Sequence, residues 1–235
     1  MGENLIESFN LSKNYGQIQA LKEVCFSIKK GTITAFLGEN GAGKTTTIKI
    51  ILGFLKPDSG IVKKGNARIG YVPDRPLFFP WATGEEILEV TAKLFRIDLF
   101  RLPGLIENTS ARIGFDQALL NRKAQTYSMG NQKKMSYLQN LLIKPELLVV
   151  DEPFTGLDPI SIRLVRDLFL ELKKEGKTIF LSSHLISELE KICEEVIIIR
   201  KGQVLLEDNL KKIRQTTNSD LETIFLSLHQ KLLTG

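Results

Sequence analysis

Apolar residues change their spacing several times along the chain, and each change marks an element. Residues 4–30 predict short strands with a turn at Tyr15-Gly16, ending at Lys30-Gly31. "TITAFLG" (32–38) is a compact apolar run closed by glycine, the pattern of a buried strand. "TTTIKIILGFL" (45–55) switches to helical spacing, with Ile48, Ile51, Leu52 and Leu55 on one face; Gly53 and Pro57 help to stop it. "ARIGYVP" (67–73) predicts another strand. From about Pro76 to Gln125 helical periodicity takes over, in "GEEILEVTAKLFRIDL" and "LIENTSARIGFDQALLNRK", with no strong strand between them. A helical lobe inserted into an α/β body is expected here.

Alternation then resumes. "QKKMSYLQNLLIK" predicts a helix, "ELLVVDEP" a buried strand, "ISIRLVRDLFLELKKEG" a helix and "KTIFLSS" a strand. "LISELEKICE" predicts a helix, and "EVIIIRKGQVLLE" a hairpin turning at Lys201-Gly202. Strands separated by helices imply a mainly parallel sheet covered on both faces. Residues 208–235 predict a short, polar, helical tail. There is no internal repeat and no low-complexity tract.

"GENGAGKT" (38–45) fits the phosphate-loop pattern G-x-x-x-x-G-K-[ST] and has the required context, a strand before it and a helix after it. Gly38, Gly41 and Gly43 permit turns that aim successive N–H groups at phosphate oxygens, and the positive end of the following helix adds to the same attraction. Lys44 reaches the terminal phosphates, and the Thr45 hydroxyl suits Mg²⁺. A bare glycine turn starting a helix is the weaker alternative. "LLVVDEP" (147–153) places Asp151 and Glu152 at the carboxyl end of a strand, where ligands of open α/β sheets collect. Adjacent residues leaving a strand point to opposite sides, so Asp151 is expected to hold Mg²⁺ and Glu152 to orient the attacking water. Solubilising acids would be the natural reading if the phosphate loop were absent. His184 follows "IFLSS" at another strand end, and a lone histidine is more often structural. Tyr15 offers a ring for stacking on a base, or is a half-buried strand aromatic.

Bulk properties change this picture little. At 235 residues, 43% hydrophobic and 25% charged, the chain suits one large or two small globular domains. No run approaches the ~18 apolar residues of a membrane span. The stretch "MGENLIESFN" has no secretory pattern, and Cys25 and Cys193 stand apart, so neither export nor a zinc or disulfide framework is expected. The net charge of +5 is spread among acids along the chain, which favours solvated helix faces over a nucleic-acid patch.

"TYSMGNQKKM" (126–135) reads either as an ordinary loop-to-helix junction or as a phosphate-binding surface displaced from its site. Taken in order over residues 4–207, these motifs resemble the ATP-binding cassette family, specifically the nucleotide-binding subunit of an ABC transporter. The resemblance implies an α/β P-loop NTPase fold with a mainly parallel sheet core, an antiparallel β subdomain and an inserted α-helical subdomain at about 76–137. Residues 1–207 would be the ATP-binding domain and 208–235 a C-terminal tail. The family's phosphate loop maps onto Gly38, Glu39, Asn40, Gly41, Ala42, Gly43, Lys44, Thr45 and Thr46, its adenine-stacking position onto Tyr15, and its terminal-phosphate histidine onto His184. Asp158, in "GLD", takes the place of the acidic residue that communicates across a dimer. "YSMGNQ" lies where the family carries Leu-Ser-Gly-Gly-Gln, a loop that meets ATP bound to the opposite subunit. Ser128 and Gly130 are kept; Tyr127, Met129 and Asn131 depart from the pattern. Asp74 stands where the family usually has a glutamine that touches Mg²⁺ and links to the membrane partner. Aspartate is shorter and charged, so it favours the metal and reaches less far.

The function implied is a Mg²⁺-dependent ATPase motor. It would close as a head-to-tail dimer, homodimer or paired cassette, and drive a separate transmembrane permease from the cytoplasmic face of the membrane. Its catalytic residues would be Lys44, Glu152 and His184, its metal residues Thr45, Asp151 and Asp74, with ATP and Mg²⁺ as ligands and no nucleic acid. "GAGKTTTIKIILGFLKPDSG" resembles the multidrug and peptide-antibiotic exporter type. The competing readings are a soluble cassette acting on ribosome or DNA, and a phosphoryl-transfer kinase. "PLFFPWATGEE" crowds Phe78, Phe79 and Trp81 together, either as lobe packing or as a partner-facing patch.

Overall fold

The computed structural model describes residues 3–231. Along the chain run β1 (Asn4–Tyr15), β2 (Ile18–Lys29), β3 (Ile33–Leu37), α1 (Lys44–Leu52), β4 (Ser59–Lys64) and β5 (Ile69–Val72). Then follow α2 (Gly84–Leu94), α3 (Leu102–Ile113), α4 (Met129–Leu142), β6 (Leu147–Asp151) and α5 (Pro159–Lys174). The last elements are β7 (Thr178–Ser183), α6 (Ile186–Leu189), β8 (Glu195–Arg200), β9 (Gln203–Asn209), α7 (Leu210–Thr217) and α8 (Leu221–Lys231). The described residues divide into two compact units, one formed by those up to 67 with those from 176 onward, the other by residues 68–175.

In the first unit β1 pairs antiparallel with β2 on one side and β4 on the other. A second sheet sets β3 between β7 and β8, parallel to both, and β9 returns antiparallel along β8. Every residue of β3 and β7 is buried, which explains their unbroken apolar runs: strands covered on both faces cannot alternate. Phe26 on β2 meets Phe36 on β3 at 5.7 Å, and Phe36 meets Phe180 on β7 at 5.3 Å, so aromatic packing joins the two sheets. The tail packs on the same unit. Glu190, just after α6, pairs with Arg214 at 2.7 Å and accepts the first backbone N–H of α8 at 2.9 Å.

The second unit carries the helices and the parallel pair β5–β6. Thr83 and Glu86 form a reciprocal cap at the start of α2, which fixes where that helix begins. Tyr137 on α4 is wholly buried, donates to the Pro153 carbonyl at 3.0 Å and packs edge-on against Phe169 of α5.

Residues 4–30 form two 12-residue strands rather than short ones, the helix expected over 84–99 stops at Leu94, and four further elements differ from the expectation. β4 was not anticipated: nearly all of "SGIVKK" is exposed, so an edge strand rich in lysine carries no apolar alternation. The helix expected over 105–123 stops at Ile113, where Gly114 takes a left-handed cap (φ 61°), and a 3₁₀ turn at Gln117–Leu119 follows. α6 is a single turn rather than the length of "LISELEKICE". α4 begins at Met129, three residues before "QKKM", because Ser128 caps it.

Candidate functional site

The phosphate loop of the first unit is set by strand register. Leu37 of β3 lies opposite Ser183 of β7, so Gly38 and His184 leave neighbouring parallel strands at the same level. His184 is exposed there, not packed in the core. The loop runs close to β2 and β8: a Cβ at Gly38 would lie 2.5 Å from the Ile199 carbonyl oxygen. Gly43 caps α1 at φ 108°, and a Cβ there would lie 2.8 Å from the Ala20 carbonyl oxygen, so only glycine fits. α1 starts without a side-chain cap, which leaves its positive end to serve an anion. Lys44 is buried and folds back over the loop, donating to the carbonyls of Gly38 at 2.7 Å and Glu39 at 3.2 Å. Glu39, Asn40, Gly41 and Thr45 are exposed, Thr46 is partly so, and Ala42 is buried. Tyr15 ends β1 in register with Ile18 and keeps an exposed ring (47%).

The second unit repeats the device. Val72 of β5 lies opposite Val150 of β6, so Pro73-Asp74 and Asp151-Glu152 leave side by side. Asp151 is the buried last residue of its strand. Glu152 does not continue the strand's alternation, as the sequence reading supposed: its φ of 50° puts it in the left-handed region, and this turn re-aims its carboxylate. Such a conformation is uncommon for glutamate and clusters at functional positions. Asp74 Oδ1 is shielded and has no hydrogen-bond partner among the described residues. Burial, with the fields of Asp151 and Asp74, pushes the Tyr71 hydroxyl up to about 12.

Lys133 was missed. Its side chain is wholly buried, and its ammonium donates to the carbonyls of Pro73 and Asp151, each at 2.8 Å, and of Asp74 at 3.4 Å. Burial draws its pKa down to about 8, against the opposing pull of Asp74, Asp151 and Glu152. A signal existed: 133, 137 and 141 share one helix face with the buried Tyr137 and Leu141, and a lysine on such a face is unusual.

"YSMGNQ" opens α4. The Ser128 hydroxyl accepts from the Asn131 N–H at 3.2 Å as the helix cap, keeping its own O–H to donate elsewhere. A Cβ at Gly130 would lie 2.7 Å from the Gly156 carbonyl oxygen, so a close approach within the same chain already requires glycine there. Met129 lies over Gly156 and is half exposed. Tyr127 is buried and donates to the Leu119 carbonyl at 2.7 Å, anchoring the loop to the lobe. Asp158 caps α5, accepting from the Ser161 N–H at 2.9 Å and its hydroxyl at 2.6 Å; these bonds lower its pKa.

A family model described as "ABC transporter" matches residues 21–155, more than half of the chain. The chain belongs to this family. Its likeness extends across curated ABC ATP-binding proteins. It is 36% identical over 230 residues to an uncharacterized ABC transporter ATP-binding protein, YdbJ, of Bacillus subtilis, covering 92% of this chain and 73% of the relative. The bacitracin transport ATP-binding protein BcrA of Bacillus licheniformis is also 36% identical over 230 residues, covering 88% and 72%. Among solved structures, an ATP-binding subunit of an ABC transporter superposes with a TM-score of 0.88 at 27% identity, covering 96% of this chain and 99% of that one. The dimeric cassette MJ0796, bound to ADP and Pi, has the same fold, with a TM-score of 0.79 at 23% identity and coverage of 87% and 98%. This ABC ATP-binding protein is therefore an α/β P-loop NTPase with a parallel sheet core, an antiparallel sheet and helices. No helix among its described residues is long and apolar enough to cross a membrane.

Proposed function

We propose that this ABC ATP-binding protein hydrolyses Mg²⁺-bound ATP as one of two cassettes paired head to tail, and so drives a separate transmembrane permease. The observation that supports it most is the uncapped N-terminus of α1 behind the Gly38–Thr45 loop, with Lys44 folded over it. Those backbone donors and the ammonium hold the phosphates, Tyr15 stacks on the adenine, and His184 contacts the terminal phosphate. Glu152 orients water, so catalysis is positioning and charge stabilisation. Ser128, Met129, Gly130 and Asn131 serve the nucleotide of the partner cassette, and Asp158 transmits between the two.

Mg²⁺ neutralises charge on the phosphates when bound. The residues suit it: Thr45, Asp151 and Asp74 each offer hard oxygens, and Asp74 Oδ1 is shielded with no hydrogen-bond partner among the described residues. Among the described residues no group of three or more His, Cys, Asp or Glu side chains could hold a metal ion alone. A site of few protein ligands completed by phosphates is the usual arrangement for Mg²⁺.

We assign the ATP-binding domain to residues 1–207, with its helical subdomain at about 76–137 and a tail from 208. The permease docks on the helical subdomain at the cytoplasmic membrane face. Leu77, Phe79 and Trp81 are 94%, 66% and 68% exposed and, with Val90 and Leu94, line a groove of about 750 Å³. Exposed aromatics of this kind mark interaction surfaces better than lobe packing. BcrA, a bacitracin transport protein, fits a peptide-antibiotic exporter type. Co-expression with the permease tests both halves. The chain should co-purify with it from detergent extracts, and chelation of Mg²⁺ should abolish ATP turnover. Phe79→Ala/Trp81→Ala should lose the permease yet keep basal turnover. Turnover that survives chelation, or a double variant that still co-purifies fully, contradicts the corresponding half.

A further inference from the structure

Lys133 is a buried cation with no place in the functional reading so far. Its ammonium has three donors, and three carbonyl oxygens take them: Pro73 and Asp74 beyond the end of β5, and Asp151 at the end of β6. The β5–β6 ladder ends at Val72 opposite Val150, so the side chain bridges the two segments just where backbone pairing stops. A neutral amide has only two donors and could not serve all three oxygens. The carboxylates of Asp74, Asp151 and Glu152 all act on the ammonium, Asp74 foremost. Three like charges leaving two adjacent strand ends repel one another, and a cation among them offsets that repulsion.

We propose that Lys133 is a positioning residue of the ATPase site: it holds the Asp74 segment against the Asp151 strand end and balances the Asp74 carboxylate. The proposal rests on the reading of this chain as a Mg²⁺-dependent ATPase. Lys133 spends its donors on backbone carbonyls and acts through the two segments it ties. Removing it alone leaves Asp74 as an uncompensated, partly buried charge, whereas removing both charges leaves a neutral pair.

The experiment compares wild type, Lys133→Gln, Asp74→Gln and the double variant, reading thermal melting, ATP affinity, kcat and the Mg²⁺ concentration for half-maximal turnover. Wild-type turnover dependent on Mg²⁺ is the control; its absence rejects the ATPase reading rather than this inference. Lys133→Gln should lower kcat by about 10- to 100-fold, the loss common when a group supporting active-site ligands is removed. It should also raise the Mg²⁺ requirement and leave ATP affinity near wild type. The double variant should recover part of the kcat loss, because the unbalanced Asp74 charge is gone while one of the three carbonyl ties is still missing. Wild-type kcat in Lys133→Gln overturns the proposal, and so does a loss with unchanged Mg²⁺ dependence that Asp74→Gln fails to rescue. Should Lys133→Gln fail to melt cooperatively, the double variant decides. If it melts cooperatively and turns over ATP it supports the charge pairing; if it also fails to melt cooperatively, or folds without turnover, it overturns it.

Discussion

Glu152→Gln should bind ATP normally yet lose turnover by about 10²- to 10⁴-fold, the range over which a positioned acid–base group contributes. The substitution keeps the side chain's size but removes its negative charge and its ability to orient water and take a proton from it. Glu152 already sits at φ 50°, and glutamine accepts the same backbone no worse than glutamate, so melting should change little. ATP that binds without being cleaved holds the cassettes together, and gel filtration with ATP should show closed dimers accumulating. Wild-type rates in a folded Glu152→Gln protein would remove Glu152 from its role.

Lys44→Ala should fail at the earlier step. The ammonium sits over the loop, on the Gly38 and Glu39 carbonyls. Its loss removes charge-assisted bonds to phosphate worth about 3 kcal/mol, which is roughly a 100-fold loss of affinity. Calorimetry should show that fall, and added ATP should no longer raise the melting temperature as binding to the native state otherwise does. An alanine variant that binds ATP within a few fold of wild type contradicts the assignment. The two variants separate binding from chemistry: one holds nucleotide without cleaving it, the other does not hold it.

Much of this was legible in the sequence because period and punctuation coincide. The buried runs of β3, β6 and β7 were readable as strands, and each runs into residues singled out from the sequence, at Gly38, at Asp151-Glu152 and at His184. What was not legible depends on neighbours far along the chain. β4 has no pattern of its own and forms because β1 offers an edge. Gly130 read as a place for phosphate to approach, but within the chain its first constraint is the Gly156 carbonyl. The turn at Glu152 could not be read from "VVDEP", because a left-handed glutamate carries no compositional mark. Lys133 looked like one lysine of a polar pair; Lys134 beside it reaches the Gly114 carbonyl from an exposed position, and only packing separates the two.

Ser128 and Asp158 show a related limit. Each was expected to act across a dimer, and each also caps its own helix, α4 and α5. Replacing either would perturb a helix start as well as any contact with a partner, so neither isolates the pairing.

Dilution does isolate it. ATP turnover per chain, followed across protein concentrations that span dissociation of the pair and checked by light scattering, reads pairing without altering a residue. Turnover per chain should fall toward zero as the dimer gives way to monomer. A rate per chain that stays constant into the fully monomeric range would contradict the claim that each copy needs its partner to cleave ATP.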